Sequence, residues 1–112
     1  MSRKPFDLQN YLERSIKRVW NWYPPKSEAR KRAQVGKDLF ECASCGDGFA
    51  RKETHVDHIE PVIPLSGWVD WNMFIARLFC SVDNLQVLCK ACHKEKTNKE
   101  NQERRFDWRR MK

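Results

Sequence analysis

Two Cys-x-x-Cys pairs, Cys42-Ala-Ser-Cys45 and Cys89-Lys-Ala-Cys92, bracket the middle of the chain, and the three histidines, His55, His58 and His93, lie between or directly after them. Each pair delivers two sulfurs from one tight turn, and four thiolates complete the tetrahedron that zinc adopts in structural sites. The spacing assigns Cys42, Cys45, Cys89 and Cys92 to one structural Zn2+, with a redox pair or an iron–sulfur cluster as the competing uses of such pairs. A closed four-cysteine site has no open coordination position, so this zinc is expected to build the fold and perform no catalysis. Cys80 has no partner at that spacing and reads as a small buried apolar residue.

A second group of polar residues is threaded through the first. His93 follows Cys92 directly, and on a helix it projects about 100° away from that ligand, towards a different surface. Asp57 and His58 are neighbours near the end of a strand-like run, Thr54 to Ile59, where regular alternation would place them on opposite faces. They can act together only if the strand ends or twists there, which Pro61 permits. His55 lies two residues before Asp57 and shares its face. It reads as a supporting or structural histidine, with phosphate contact or help to an ion as the functional alternative.

In order and spacing these residues resemble the HNH endonucleases, the ββα-metal or His-Me finger nucleases, and most closely their small, zinc-containing phage members. The matching pieces are Cys42-x-x-Cys45, Val56-Asp57-His58-Ile59 with Pro61, Asn84-Leu85-Gln86-Val87-Leu88-Cys89, and Cys92-His93 followed by Lys96-Thr97; together they cover residues 39–97. The resemblance implies metal-dependent hydrolysis of a DNA phosphodiester, leaving 5′-phosphate and 3′-hydroxyl ends. His58 would be the general base, a task that suits an imidazole pKa of about 6.5. By the same analogy, the Asn84 side-chain oxygen would accept the other imidazole N–H and select the tautomer. Asp57 and His93 would hold one divalent cation, and a carboxylate–imidazole pair leaves Mg2+, Mn2+, Ni2+ and Zn2+ all open. Lys94 and Lys96 could reach the DNA backbone, although solvated helix lysines are the default. The rival class is a non-catalytic zinc-ribbon module that binds nucleic acid, or an accessory of a phage DNA-packaging complex. It explains the cysteines but not the joint placement of Asp57, His58, Asn84 and His93.

The elements that must position these groups fit one α+β domain: a small ββα-metal core stapled by the cysteines, with helices at both ends. The 112 residues bury a modest core that a structural metal usefully supplements. Residues 1–38 form a basic, helical extension, 39–97 the core, and 98–112 a charged tail expected to be helical. The charge follows this division, with ten Lys/Arg against four Asp/Glu in 1–38, four against seven in 39–93, and eight against four in 94–112. A net charge of +7 carried entirely by the flanks points to a polyanion, most simply DNA. With no apolar leader or long apolar run, the expected location is cytoplasmic, in the host cell if a phage encodes the chain, with no membrane contact. Neither monomer nor homodimer is favoured.

Along the chain, residues 2–5 are a basic lead-in. Asp7 can cap a helix whose row Leu8, Leu12, Ile16 and Val19 should pack on the core, with Phe6 and Tyr11 as a staple. Trp20, Trp22 and Tyr23 read as packing surface. Pro24-Pro25 should end that helix, and Ser27 should cap a second from Glu28 to Val35. Its Arg30-Lys31-Arg32 run is the densest positive cluster and a candidate phosphate contact. Asp70 to Phe79 reads as a structural helix. A helix should include His93, and Thr97 to Glu100 spells a capping box for a separate terminal helix, with a frayed tail as the equal alternative.

Overall fold

Asp7 opens the first helix by accepting a hydrogen bond from the Asn10 amide at 3.1 Å, one of the donors that a helix start leaves without partners. The structure is a computed structural model that describes residues 5–110; the remainder of the basic lead-in and the last two tail residues lie outside them. Helix α1 spans Leu8–Trp20, and Phe6 sits against Tyr11 with ring centroids 5.6 Å apart, as the staple requires. Its apolar row does not pack as expected. Leu8, Leu12 and Val19 are exposed, and only Ile16 and Trp20 reach the core, because α1 meets the rest of the protein through its C-terminal turns. Trp22 is 88% exposed, the exception among the three rings expected to pack.

Helix α2 runs Pro24–Ala33 and begins four residues earlier than the expected Glu28. Pro24 and Pro25 occupy its first turn, where a missing N–H costs nothing, so the prolines begin this helix as well as ending the previous one. Ser27 is therefore inside the helix, and Val35 belongs to the strand that follows. Strands β1 (Gln34–Gly36), β2 (Leu39–Glu41) and β3 (Gly48–Phe49) form a small antiparallel sheet. Gly48 lies close under Leu39, where a Cβ would meet Cδ1 at 2.9 Å and push that side chain aside. A 3₁₀ turn at Arg51–Glu53 leads into β4, Thr54–His58.

Strand β4 pairs antiparallel with β5, Leu85–Cys89, in a register that sets His58 opposite Leu85 and Asp57 opposite Gln86. The intervening segment carries α3, Trp71–Leu78, capped by Asp70, and a 3₁₀ turn at Val82–Asn84. Arg77 binds the segment back by donating twice to the Pro61 carbonyl, at 2.9 and 2.7 Å. Helix α4 follows β5 without a gap and is continuous over Lys90–Arg110. The separate terminal helix expected at Thr97 does not form; Thr97 is mid-helix, since a capping sequence acts only where the preceding backbone leaves the helical region.

Among the described residues the protein is thus α+β, with four helices and two small sheets. One core gathers Trp20, Ala29, Phe40, Val56, Phe74, Leu78, Leu85 and Val87, and Cys80 packs half-buried against it. A second gathers Cys42, Leu88 and Cys89, with Phe49 and Cys92 on its border. No helix in the described residues is long and apolar enough to cross a membrane.

Candidate active site and metal centre

The second core is built around sulfur. Cys42, Cys45, Cys89 and Cys92 bring their sulfurs within 4.8 Å of one another. Ligands about 2.3 Å from one zinc at tetrahedral angles would lie about 3.8 Å apart, so the cluster fits such an ion with little adjustment. The backbone is already shaped for thiolates. Cys42 Sγ accepts from the amides of Ser44 and Cys45, and Cys89 Sγ from the amide of Cys92, at 3.4–3.5 Å. Gly46 turns the first knuckle with a φ of +78°, a region that favours glycine. Burial pushes the Cys42 thiol up, yet amide hydrogen bonds from Cys45, Cys89 and Ser44 outweigh it and hold its pKa at about 6. Cys92, hydrogen-bonded by the Cys89 side chain and desolvated, is pushed up to about 12. Four sulfurs gathered this closely could hold a metal ion such as zinc.

Asp57 and His93 meet on the other side of β5's end. His93 is delivered by the first turn of α4, one residue past the sulfur ligand, and its Nε2 lies 3.6 Å from Asp57 Oδ1. That separation is too long for a hydrogen bond and matches two ligands about 2.1 Å from one ion. The other carboxylate oxygen is fully engaged: Asp57 Oδ2 accepts from Gln86 Nε2 and from Lys96 Nζ, each at 3.1 Å. Asp57 is thereby oriented with one oxygen towards His93. His55 does not join as a third ligand; its ring packs on the His93 ring, centroids 4.8 Å apart. Burial and the neighbouring His93, Lys90, Arg30 and Lys26 hold the His55 pKa below its ordinary value.

His58 is nearly buried and leaves the strand on the face opposite Asp57. Because β4 ends at His58, both side chains still border one cavity of about 740 Å3, together with His93, Trp20 and the basic face of α1. The Trp20 ring lies 4.8 Å from the imidazole. His58 Nε2 is 2.9 Å from the Leu78 carbonyl. This carbonyl closes α3 and is one that a helix leaves without an internal partner. A carbonyl only accepts, so Nε2 carries the proton and Nδ1 is the basic nitrogen. Burial lowers the His58 pKa from 6.5, with the Leu78 bond and Asp57 opposing the shift.

Asn84 does not bind the imidazole as the analogy implied. Its Oδ1 accepts from the Glu60 amide at 3.0 Å, and its own carbonyl accepts from the Ile59 amide at 2.8 Å. It closes the end of the β4–β5 pair, and the orienting bond to His58 comes instead from Leu78. Lys96 likewise turns inward, to Asp57, to the His58 carbonyl at 3.0 Å and to Glu100 at 3.0 Å, which leaves its ammonium no free donor for DNA. Burial lowers the Lys96 pKa, but Glu100 and Asp57 outweigh it and hold it above its ordinary value. The Arg30-Lys31-Arg32 run fans out around α2. Arg30 donates to Thr54 Oγ1 at 2.7 Å, Arg32 pairs with Asp83 at 3.1 Å and Glu28 at 3.5 Å, and Lys31 is exposed. Lys94 is exposed on α4.

With this geometry in place, similarity to known proteins is informative. A probable HNH endonuclease of Lactococcus phage SK1 is 37% identical over 78 residues, which cover 69% of this chain and 76% of that protein. The chain belongs to the HNH endonuclease family. This HNH chain also shares 45% identity over 49 residues with the DNA annealing helicase and endonuclease ZRANB3 of Homo sapiens and of Mus musculus. That match covers 44% of the HNH chain and only 4% of each much larger protein. No family model matches the HNH chain, and no solved structure does.

Some of the site's partners carry no signal in the sequence. Gln86 is recognisable only once the register of β4 on β5 is known, and Leu78 contributes a main-chain atom. Trp20 and the basic face of α1 join the cavity from outside the residues 39–97 that carry the motif.

Proposed function

We propose that the protein is a metal-dependent DNA endonuclease that hydrolyses phosphodiester bonds, with β4, β5 and α4 as its ββα-metal core. What carries this reading is the coupled geometry of Asp57, His93 and His58. One Asp57 oxygen is pinned by Gln86 and Lys96, the other faces His93 Nε2 at 3.6 Å, and His58, whose Nδ1 is left basic by the Leu78 bond, lines the same cavity. His58 Nδ1 takes a proton from the attacking water. Asp57 Oδ1 and His93 Nε2 hold a divalent cation, whose chemistry when bound is to neutralise charge developing on the scissile phosphate and the leaving oxygen. Asn84 acts through the chain, keeping the end of β4 in place so that Asp57 and His58 face one cavity. The four cysteines hold a structural Zn2+ that anchors β5 and the start of α4, and with them His93.

The test is nicking of supercoiled plasmid with Mg2+, Mn2+ or Ni2+ added in turn. Cleavage is expected with at least one of them, and its loss in both His58→Ala and His93→Ala. Nicking that needs no added cation, or that survives His58→Ala undiminished, overturns the mechanism. Tight DNA binding with no cleavage under any cation would leave a zinc-dependent binding module instead.

A further inference from the structure

We propose that Arg14, Lys17 and Arg18 on α1, continued by Lys26, Arg30 and Arg51, form a phosphate-binding belt that carries the DNA backbone past the Asp57–His93 pair. The proposal rests on the nuclease reading for its ligand and on separate residues for its observations. Arg14, Lys17 and Arg18, with Asn21, occupy positions i, i+3, i+4 and i+7 of α1, so they share one helix face. That face lines the cavity that Asp57, His58 and His93 also line. It is distinct from the row of Leu8, Leu12 and Val19, and a helix that offers cations to the cleft and apolar groups elsewhere has its charges placed, not merely scattered for solubility.

The second half of the belt follows across α2. Lys26 Nζ lies 4.3 Å from the Trp20 ring centroid, and Trp20 in turn covers His58. Lys26, Arg30 and Arg51 stand close enough to repel one another: beyond the effect of burial, Arg30 and Arg51 lower the Lys26 pKa, and Arg51 lowers that of Arg30. Among the described residues none of the six cations pairs with a carboxylate, whereas Arg32, Lys90 and Lys96 all do. A row of unneutralised, mutually repelling cations beside a phosphodiester-cleaving site is what a polyanion would relieve, because each phosphate contact releases condensed counterions.

The experiment uses the full chain in a His58→Ala background and a fluorescein-labelled DNA duplex without added divalent cation, with anisotropy read across a KCl series. The triple variant Arg14→Gln, Lys17→Gln, Arg18→Gln should bind on the order of ten-fold more weakly, and its log–log salt slope should shrink by about 2 to 3. The pair Lys26→Gln, Arg51→Gln should lower the slope by about 1 to 2, and Lys37→Gln in the β1–β2 turn should leave affinity and slope unchanged. Glutamine keeps helix propensity, and the single variant Lys17→Gln supplies the slope change if the triple does not fold. Unaltered affinity and slope in the folded triple variant overturn the belt. A wild-type protein that never cleaves DNA while the triple variant still loses affinity overturns the nuclease reading and leaves the belt standing.

Discussion

At His58 the proton is placed by the last carbonyl of α3, and burial keeps the ring neutral. His58→Ala should reduce plasmid nicking by roughly 10²–10⁴-fold, while calorimetry still detects cation binding by Asp57 and His93. The pH dependence has a definite sign. A base whose folded pKa lies below its ordinary 6.5 remains deprotonated under mildly acidic conditions, so the acid limb of the rate profile should fall below pH 6.5. In the same window the unfolded chain binds more protons than the folded one, so the contribution of His58 to stability is full above 6.5 and declines as pH drops beneath it. Lys96 gives a less intuitive prediction. Its ammonium would share Asp57 with a cation bound there, and charges sharing one carboxylate repel by several kcal/mol even at an effective dielectric of about 20. Loss of one charge-assisted hydrogen bond to Asp57 costs about 1.5–3 kcal/mol. Repulsion outweighs orientation, and Lys96→Met should therefore bind Mn2+ more tightly, by at least about ten-fold by titration calorimetry. Weaker binding would show that the ammonium serves Asp57 mainly as an orienting donor.

Among the elements, the β4–β5 pair depends on the closure at its end. Asn84→Ala should cost about 0.5–1.5 kcal/mol in urea denaturation, since it removes the side-chain acceptor of the exposed Glu60 amide, whereas Asn84→Asp keeps that acceptor and should lose less. If Asn84 governed the His58 tautomer, both variants would shift the pH profile of cleavage; with Leu78 in that role, both should lower the rate and leave the profile in place. Much of this architecture is legible in the chain. Asp7 and Asp70 announce helices α1 and α3, and the cysteine spacing anticipates the sulfur cluster. The Val56–Ile59 and Asn84–Cys89 pieces mark the paired strands. What could not be read has a physical source in each case. The prolines at 24 and 25 both stop and start helices, so composition alone does not locate the boundary. Thr97 has a capping sequence but sits on backbone that is already helical. The amphipathic row of α1 satisfies the periodicity of a packed helix, and periodicity does not say how much of a helix touches the core. The functions of Gln86, Lys96 and Leu78 O depend on pairing register and on the direction of α4, which arise only when distant segments meet.

On the scale of the whole molecule, the sulfur cluster and the Asp57–His93 pair share the first turn of α4, which carries both Cys92 and His93, and Asp57 is tied through Gln86 to the strand that ends at Cys89. Stripping zinc with excess chelator should therefore remove folded structure and nicking together, with a fall in helical circular dichroism and one Zn2+ released per chain. Cys89→Ser should do the same, while Cys80→Ser, outside the cluster, should keep both. Several contacts that hold the site end on main-chain atoms: His58 on Leu78 O, Lys96 on His58 O, Asn84 on the Glu60 amide, Arg77 on Pro61 O and Arg104 on Ile63 O. A carbonyl is present whatever side chain its residue carries. An alanine scan would consequently report His58 as a residue with no orienting partner, since replacing Leu78 deletes packing and spares the acceptor. The tautomer is heritable through substitutions but vulnerable to a frame change within the helix. One alanine inserted after Ile75 rotates the end of α3 by about 100° and takes the carbonyl away, a lesion that point mutation at Leu78 cannot reproduce.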